Sequence, residues 1–170
     1  MKAFIAGLIL GILFPLAAVY LYFESGAAPV ATSAPPMPLE KFFANMALHA
    51  TLEKEAPQEV PIKADETTYA DGAQIYREHC AICHGLLNQP VSLPARGMFP
   101  HPPQLLKPEE GVTGDPPGET FWIAKHGIRL SGMPSFSPAL SDKQLWQVSL
   151  LLANADKLPA STREVLSRPD

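Results

Sequence analysis

The chain opens on an unbroken apolar run. From Ala3 to Phe23 there is no charged residue, only glycines and Pro15 among aliphatic and aromatic side chains. That is long enough to cross a bilayer and longer than the apolar core of a cleaved signal peptide. Ala27 to Pro38 (PVATSAPPMP at its heart) shows no periodicity, and its prolines predict an extended, semi-rigid linker. In the next stretch Leu39, Phe42, Phe43, Met46 and Ala50 recur at three- and four-residue steps, which predicts an amphipathic helix. Its charges are mixed rather than rich in Lys/Arg, so packing against protein suits it better than lying on lipid. From about Asp65 helical spacing returns through Tyr69, Gly72, Ala73, Ile75, Tyr76 and Cys80, with Thr67 or Thr68 as the capping residue. A short helix follows at Gly118–Ile123, closed by Gly127. The last helix starts at Ser141, where Gln144 completes a capping-box signature, and runs through Leu145, Trp146, Val148 and Leu150–Leu152 to Asn154. No parallel-strand pattern is visible, and the fold class is all-α.

A glycine inside a helix costs about 1 kcal/mol relative to alanine. Gly72 therefore predicts close approach of another helix, and the last helix is the candidate, with Trp146 filling the junction. Five segments result: 1–24 a transmembrane, uncleaved signal-anchor; 25–38 the linker; 39–63 the amphipathic segment; 64–160 the main domain; 161–170 a C-terminal tail.

Composition changes this picture little. The net charge is −4 over 170 residues, with no basic run and no basic-aromatic interleaving, which excludes a nucleic-acid footprint. Lys2 precedes the apolar run and Glu24 follows it, an order that favours a cytoplasmic amino terminus and an exported body.

The chemistry concentrates in Cys80-Ala81-Ile82-Cys83-His84-Gly85, which holds both cysteines of the chain. Two thiols three apart can form thioethers to the two vinyl groups of one haem, and the next residue can place an imidazole on the iron. A disulfide closing so short a loop would be strained and would staple little. A thioredoxin-like dithiol needs a βαβ context. A zinc site needs two more ligands, and His79, His101 and His126 form no second pair. Haem attachment is the reading that remains.

The opposite ligand has several candidates. Met133 lies in Gly132-Met133-Pro134, where glycine and proline fix the backbone around one thioether. Met98, in Gly97-Met98-Phe99-Pro100, is its rival, with His126 and His101 behind it. Leu105 and Leu106 are candidates to pack on a macrocycle, and Arg96, His101, Trp122 and Arg129 to donate to its propionates. No Ser/His/Asp arrangement, phosphate-cradling loop or second haem motif accompanies them.

Taken in order, Gly72-x-x-x-Tyr76, Cys80–Gly85, Gly132-Met133-Pro134-Ser135-Phe136 and Leu145-Trp146 resemble the class I c-type cytochromes, of the small, membrane-anchored bacterial kind, over about residues 65 to 158. The resemblance implies an all-helical fold around one covalent haem c, with Cys80 and Cys83 as thioethers and His84 and Met133 as the iron's axial ligands. It implies single-electron transfer rather than catalysis, and redox proteins as partners. It also implies a proline carbonyl accepting the free N–H of the proximal histidine, a role that Pro94 matches by position, with Pro90, Pro100 and Pro102 as alternatives. Covalent haem attachment in bacteria takes place outside the inner membrane. With the apolar run, this places the domain in the periplasm on a single-pass inner-membrane anchor. Two functions stay open: an electron carrier between periplasmic partners, or a fixed haem subunit of a respiratory or photosynthetic membrane complex. A haem enzyme or gas sensor would need a labile sixth ligand.

Overall fold

The computed structural model describes residues 1–168. All regular elements among them are helices, and none is a strand. The chain divides into two compact units, one of residues 1–44 and one that begins at Asn45.

In the first unit α1 (Lys2–Glu24) buries none of its residues and carries Pro15 within it. At 1.5 Å per residue its 23 residues measure about 35 Å, against a hydrocarbon layer of about 30 Å. Length and composition suit a membrane span, and they suit a signal sequence equally. Turns and irregular chain lead to α2 (Glu40–Glu55). The expected stripe of Leu39, Phe42, Phe43 and Met46 is exposed.

Within the second unit, α2 is buried at Leu52, and the chain just beyond it at Ala56. At 100° per residue Leu52 stands roughly 120° around the helix from Met46. A single packed position off the longer stripe is invisible to a periodicity argument. Past α2, the Pro57 carbonyl presses on Gly118 at the start of α6 (Pro117–His126), where any side chain would collide with it.

The haem-motif domain is built on two crossing helices. α3 (Glu66–Ile75) is capped by Asp65, whose carboxylate accepts the Thr68 N–H at 2.9 Å. Neither Thr67 nor Thr68 is the cap. The bonds from Thr68 hold the Asp65 carboxyl below the usual carboxylate range, because they favour its charged form. α7 (Asp142–Ala153) begins with the expected capping box, Ser141 and Gln144 exchanging side-chain and backbone bonds. It ends at Asn154 and is buried from Leu145 to Leu152. At the crossing, a Cβ on Gly72 would lie 2.5 Å from the Gln147 carbonyl oxygen and 3.2 Å from the Leu151 Cβ. The Gln147 amide also donates to Asp71 Oδ2 at 2.7 Å. Trp146 does not fill this junction as expected. Its ring stacks on Phe121 of α6, with centroids 4.3 Å apart.

The core consists of Ala73, Ile75, Tyr76, Leu145, Val148, Leu151, Leu158 and Leu166 with their neighbours. Leu166 belongs to a final helix, numbered α8 after the two short helices α4 and α5 given below. It spans Ala160–Ser167 and buries Thr162 and Leu166, four apart on one face. Of the C-terminal tail, Leu166 thus joins the core with Val165 packed against it, and residues 169 and 170 lie outside the described residues. The Arg77 guanidinium donates to the carbonyls of Val165 and Arg168, at 2.8 and 2.6 Å, tying down the end of α8.

Candidate haem site

The helix carrying Gly72 does not continue regularly into the cysteines. After Ile75 the chain forms a π turn, Tyr76–Cys80, and then the short helix α4, Ala81–His84. Such widened turns recur at functional sites, where they redirect side chains. Five residues are too few for the change of period to show in a sequence.

Cys80 and Cys83 are unbridged and half-buried. The Cys80 thiol is pushed up to about 12 by burial, with Cys83 adding to the effect. A redox-active dithiol carries the opposite shift. Among the described residues no group of three or more His, Cys, Asp or Glu is placed so that it could hold a metal ion.

His84 is buried, and its Nδ1 lies 2.8 Å from the Pro103 carbonyl oxygen. A carbonyl only accepts, so Nδ1 carries the proton and Nε2 keeps its lone pair. Burial lowers the His84 pKa, outweighing the Pro103 bond, so the imidazole is neutral. That is the form and the tautomer an iron ligand requires. The acceptor is Pro103 and not Pro94. Pro94 lies inside the four-residue helix α5 (Leu93–Arg96), exposed, and its carbonyl accepts the Gly97 N–H at 3.1 Å.

Two further contacts set the turn after the motif, and neither was expected. The buried Tyr76 hydroxyl donates to the carbonyls of Gly85 at 2.8 Å and His84 at 3.2 Å. Gly85 itself has φ +75°, and a Cβ there would run into the buried Gln104 side chain. Tyr76→Phe leaves both carbonyls with no hydroxyl to accept from. We expect it to lower unfolding free energy by about 1–2 kcal/mol in urea titrations, the range for a lost buried hydrogen bond. An unchanged midpoint would mean the hydroxyl is immaterial to the turn.

Beside His84 lies a cavity of about 270 Å³, lined by Leu86, Leu87, Gln104 and Leu106 among others. Of the two leucines expected on a macrocycle, both pack against the hydrophobic core, and Leu106 also lines this cavity.

The Met133 loop leaves α6 through Gly127, φ +70°, where a Cβ would meet the backbone of Met133, Pro134 and Ser135 at 2.7–2.8 Å. The loop is therefore folded back on the end of its own helix. The Ile128 N–H donates to the Met133 carbonyl (3.1 Å), the Ser131 hydroxyl accepts the Met133 N–H (3.1 Å), and Ser135 donates to the Lys125 carbonyl (2.6 Å). Met133 thus has a fixed backbone. Its rival Met98 comes to the same loop: a Cβ on Gly132 would lie 3.1 Å from Met98 Sδ. Of the other candidates, His101 and His126 are exposed, and His126 lies against the half-buried Trp122, ring centroids 4.8 Å apart. Arg129 is exposed.

Haem c fits these residues. Its two thioethers need unbridged cysteines three apart, its proximal side needs a neutral histidine with free Nε2, and its rings need an apolar wall.

Residues 67–150 match the family described as cytochrome c oxidase, cbb3-type, subunit III. A comparison with curated protein sequences returns no match. Among solved structures, the chain is similar to a chain of the Kuenenia stuttgartiensis reducing HAO-like protein complex, with 23% identity and a TM-score of 0.47. The likeness covers 60% of this chain and 52% of that one, about half its length. The motif, the all-helical fold and the family match agree: residues 67–150 form a c-type cytochrome domain, consistent with electron transfer, and its cofactor is covalently bound haem c.

Proposed function

We propose that the protein is a membrane-anchored, single-haem electron carrier on the periplasmic face of a bacterial inner membrane. Cys80 and Cys83 would hold the haem, and His84 and Met133 would ligate its iron. When bound, haem c supplies a one-electron iron couple. The chain's own residues do the rest. Pro103 holds the proton on His84 Nδ1, which leaves the Nε2 lone pair free to take the iron. Tyr76 and Gly85 keep the motif's last turn in one geometry, and the hydrogen bonds around Met133 hold the opposite side chain in register. A site filled from both sides changes little between oxidation states, which favours electron transfer over chemistry on bound substrate. The observation that carries the reading is the pairing of a tautomer-locked His84 with a pinned Met133 loop. α1, long and apolar enough to span, supports the anchor.

A redox titration with reduced-minus-oxidised spectra of the full-length protein tests it. We expect one reversible one-electron wave and a six-coordinate spectrum in both states. Rapid binding of carbon monoxide by the reduced form would refute a closed site. A second reading, a fixed subunit of a respiratory complex, is favoured by the oxidase-subunit description of the matching family. Purification in mild detergent separates the two, since a subunit elutes with stoichiometric membrane partners.

A further inference from the structure

The last turn of a helix leaves carbonyls with no partner inside it. At the end of α8 such carbonyls are taken up by residues on either side of the haem motif. Val165 O and, just past the helix, Arg168 O accept the Arg77 guanidinium. Leu166 O accepts the Leu87 N–H at 3.1 Å, and Arg168 O also accepts the Gln89 side-chain amide at 3.1 Å. A cation at a helix C-terminus meets the negative end of its dipole, so Arg77 suits this place by charge as well as by its fork of donors. The buried Thr162 and Leu166 anchor α8 in the domain.

Arg77 is the neighbour of Tyr76 in the π turn, while Leu87 and Gln89 follow the motif in the chain. The contacts therefore close a ring. It runs from the π turn through Arg77 to the end of α8, and from there to Leu87 and Gln89. It returns along the chain to Gly85 and His84, and through the Tyr76 hydroxyl to the π turn. His84 is a member of this ring, with its imidazole on the Pro103 carbonyl. Between Leu87 and Gln89, Asn88 takes φ +59°, a left-handed conformation that asparagine tolerates and that is held from both sides here. α8 lies beyond residues 67–150, so the family match assigns it no part in the site.

We propose that α8, tied in through Arg77, Leu87 and Gln89, is a brace that positions His84. This rests on the reading of His84 as the iron's ligand. The three are positioning residues: each acts on the turn that follows His84, and so on the imidazole's hold on Pro103. With the ring closed, that turn cannot shift without breaking several bonds at once, and Nδ1 stays on its acceptor. With α8 released, the turn is held by the Tyr76 hydroxyl alone, and the Nδ1–H opens to water more often.

The test uses the haem-loaded, full-length protein in detergent micelles, reduced so that the low-spin iron is diamagnetic. Nuclear magnetic resonance follows hydrogen exchange of the His84 Nδ1–H, with the buried Leu151 amide of α7 as the monitor of global opening. Arg77→Met keeps the stem and loses the fork, and in it the His84 proton should exchange at least about tenfold faster relative to Leu151. Arg77→Lys should recover part of that loss. Gln89→Leu, which removes one bond of the ring, should give a smaller rise of the same kind. Gly72→Ala, which strains the α3–α7 crossing instead, should speed both protons alike. If the two protons move together in Arg77→Met as well, Arg77 is an ordinary stabilising residue and the brace is overturned. Should Arg77→Met fail to fold, an unchanged ratio in Gln89→Leu overturns it by itself. A His84 ring whose carbon-bound protons lack the upfield shift of a ligand lying over a haem would instead defeat the ligand reading, whatever the exchange rates.

Discussion

Gly72→Ala should destabilise the haem domain, although alanine is the better helix former. The substitution gains about 1 kcal/mol of intrinsic helix propensity. Against that, the new Cβ falls 2.5 Å from the Gln147 carbonyl oxygen and 2.9 Å from its carbon. These are backbone atoms of a buried helix and cannot rotate away. α3 and α7 must therefore separate, which loosens Leu151 in the core and stretches the Asp71–Gln147 bond. Overpacking costs about 1–3 kcal/mol, and the loss of this part-buried bond up to about 1 kcal/mol more. The net loss should be about 2 kcal/mol, a large share of the ~5–15 kcal/mol that holds a domain together. For a domain of this size that lowers Tm by roughly 10 °C. Thermal unfolding followed by far-ultraviolet circular dichroism reads the change, and a Tm equal to or above wild type would show that the crossing has slack.

This glycine was legible in the sequence because its cost in a helix demanded a compensating neighbour, and the capping box at Ser141 identified that neighbour's start. The identity of the contact was not legible. Trp146 is the more prominent side chain, yet Gln147 makes the approach, because a close crossing is set by backbone and favours whichever residue points along the short axis. The same limit explains Pro103. The doublet Pro102-Pro103 offers two carbonyls, and which one meets His84 depends on how the intervening loop folds, not on distance along the chain. The π turn leaves no trace over five residues. α8 contributes only two buried positions, Thr162 and Leu166, too short a repeat to separate from a tail. By contrast, Cys80, Cys83 and His84 are legible because their chemistry requires fixed spacing on one local turn, so no long-range geometry intervenes.

Met133→Ala and Met98→Leu should have sharply different effects. The two thioethers converge on one loop, but their attachments differ. Met133 has its N–H and carbonyl both bonded within the loop, to Ser131 and Ile128, so its side chain leaves a fixed backbone. Met98 lies flat over Gly132, with Sδ, Cε and Cγ all within 3.1–3.6 Å of where a Cβ would stand, the posture of a packing residue. Leucine fills nearly the volume of methionine, and such exchanges cost under about 1.5 kcal/mol. Met98→Leu should therefore keep the long-wavelength thioether band of the oxidised protein and its midpoint potential. Met133→Ala should abolish that band and lower the potential by on the order of 0.1 V, inside the ~0.8 V range that axial ligands span. Gly132→Ala offers a third reading of the loop. Its methyl group must displace Met98, a flexible side chain that can give way, so the band should persist with a modest loss of stability. The opposite pattern, in which Met98→Leu loses the band and Met133→Ala keeps it, would assign the sixth ligand to Met98. The pinned Met133 backbone would then be a support for its neighbour, not for itself.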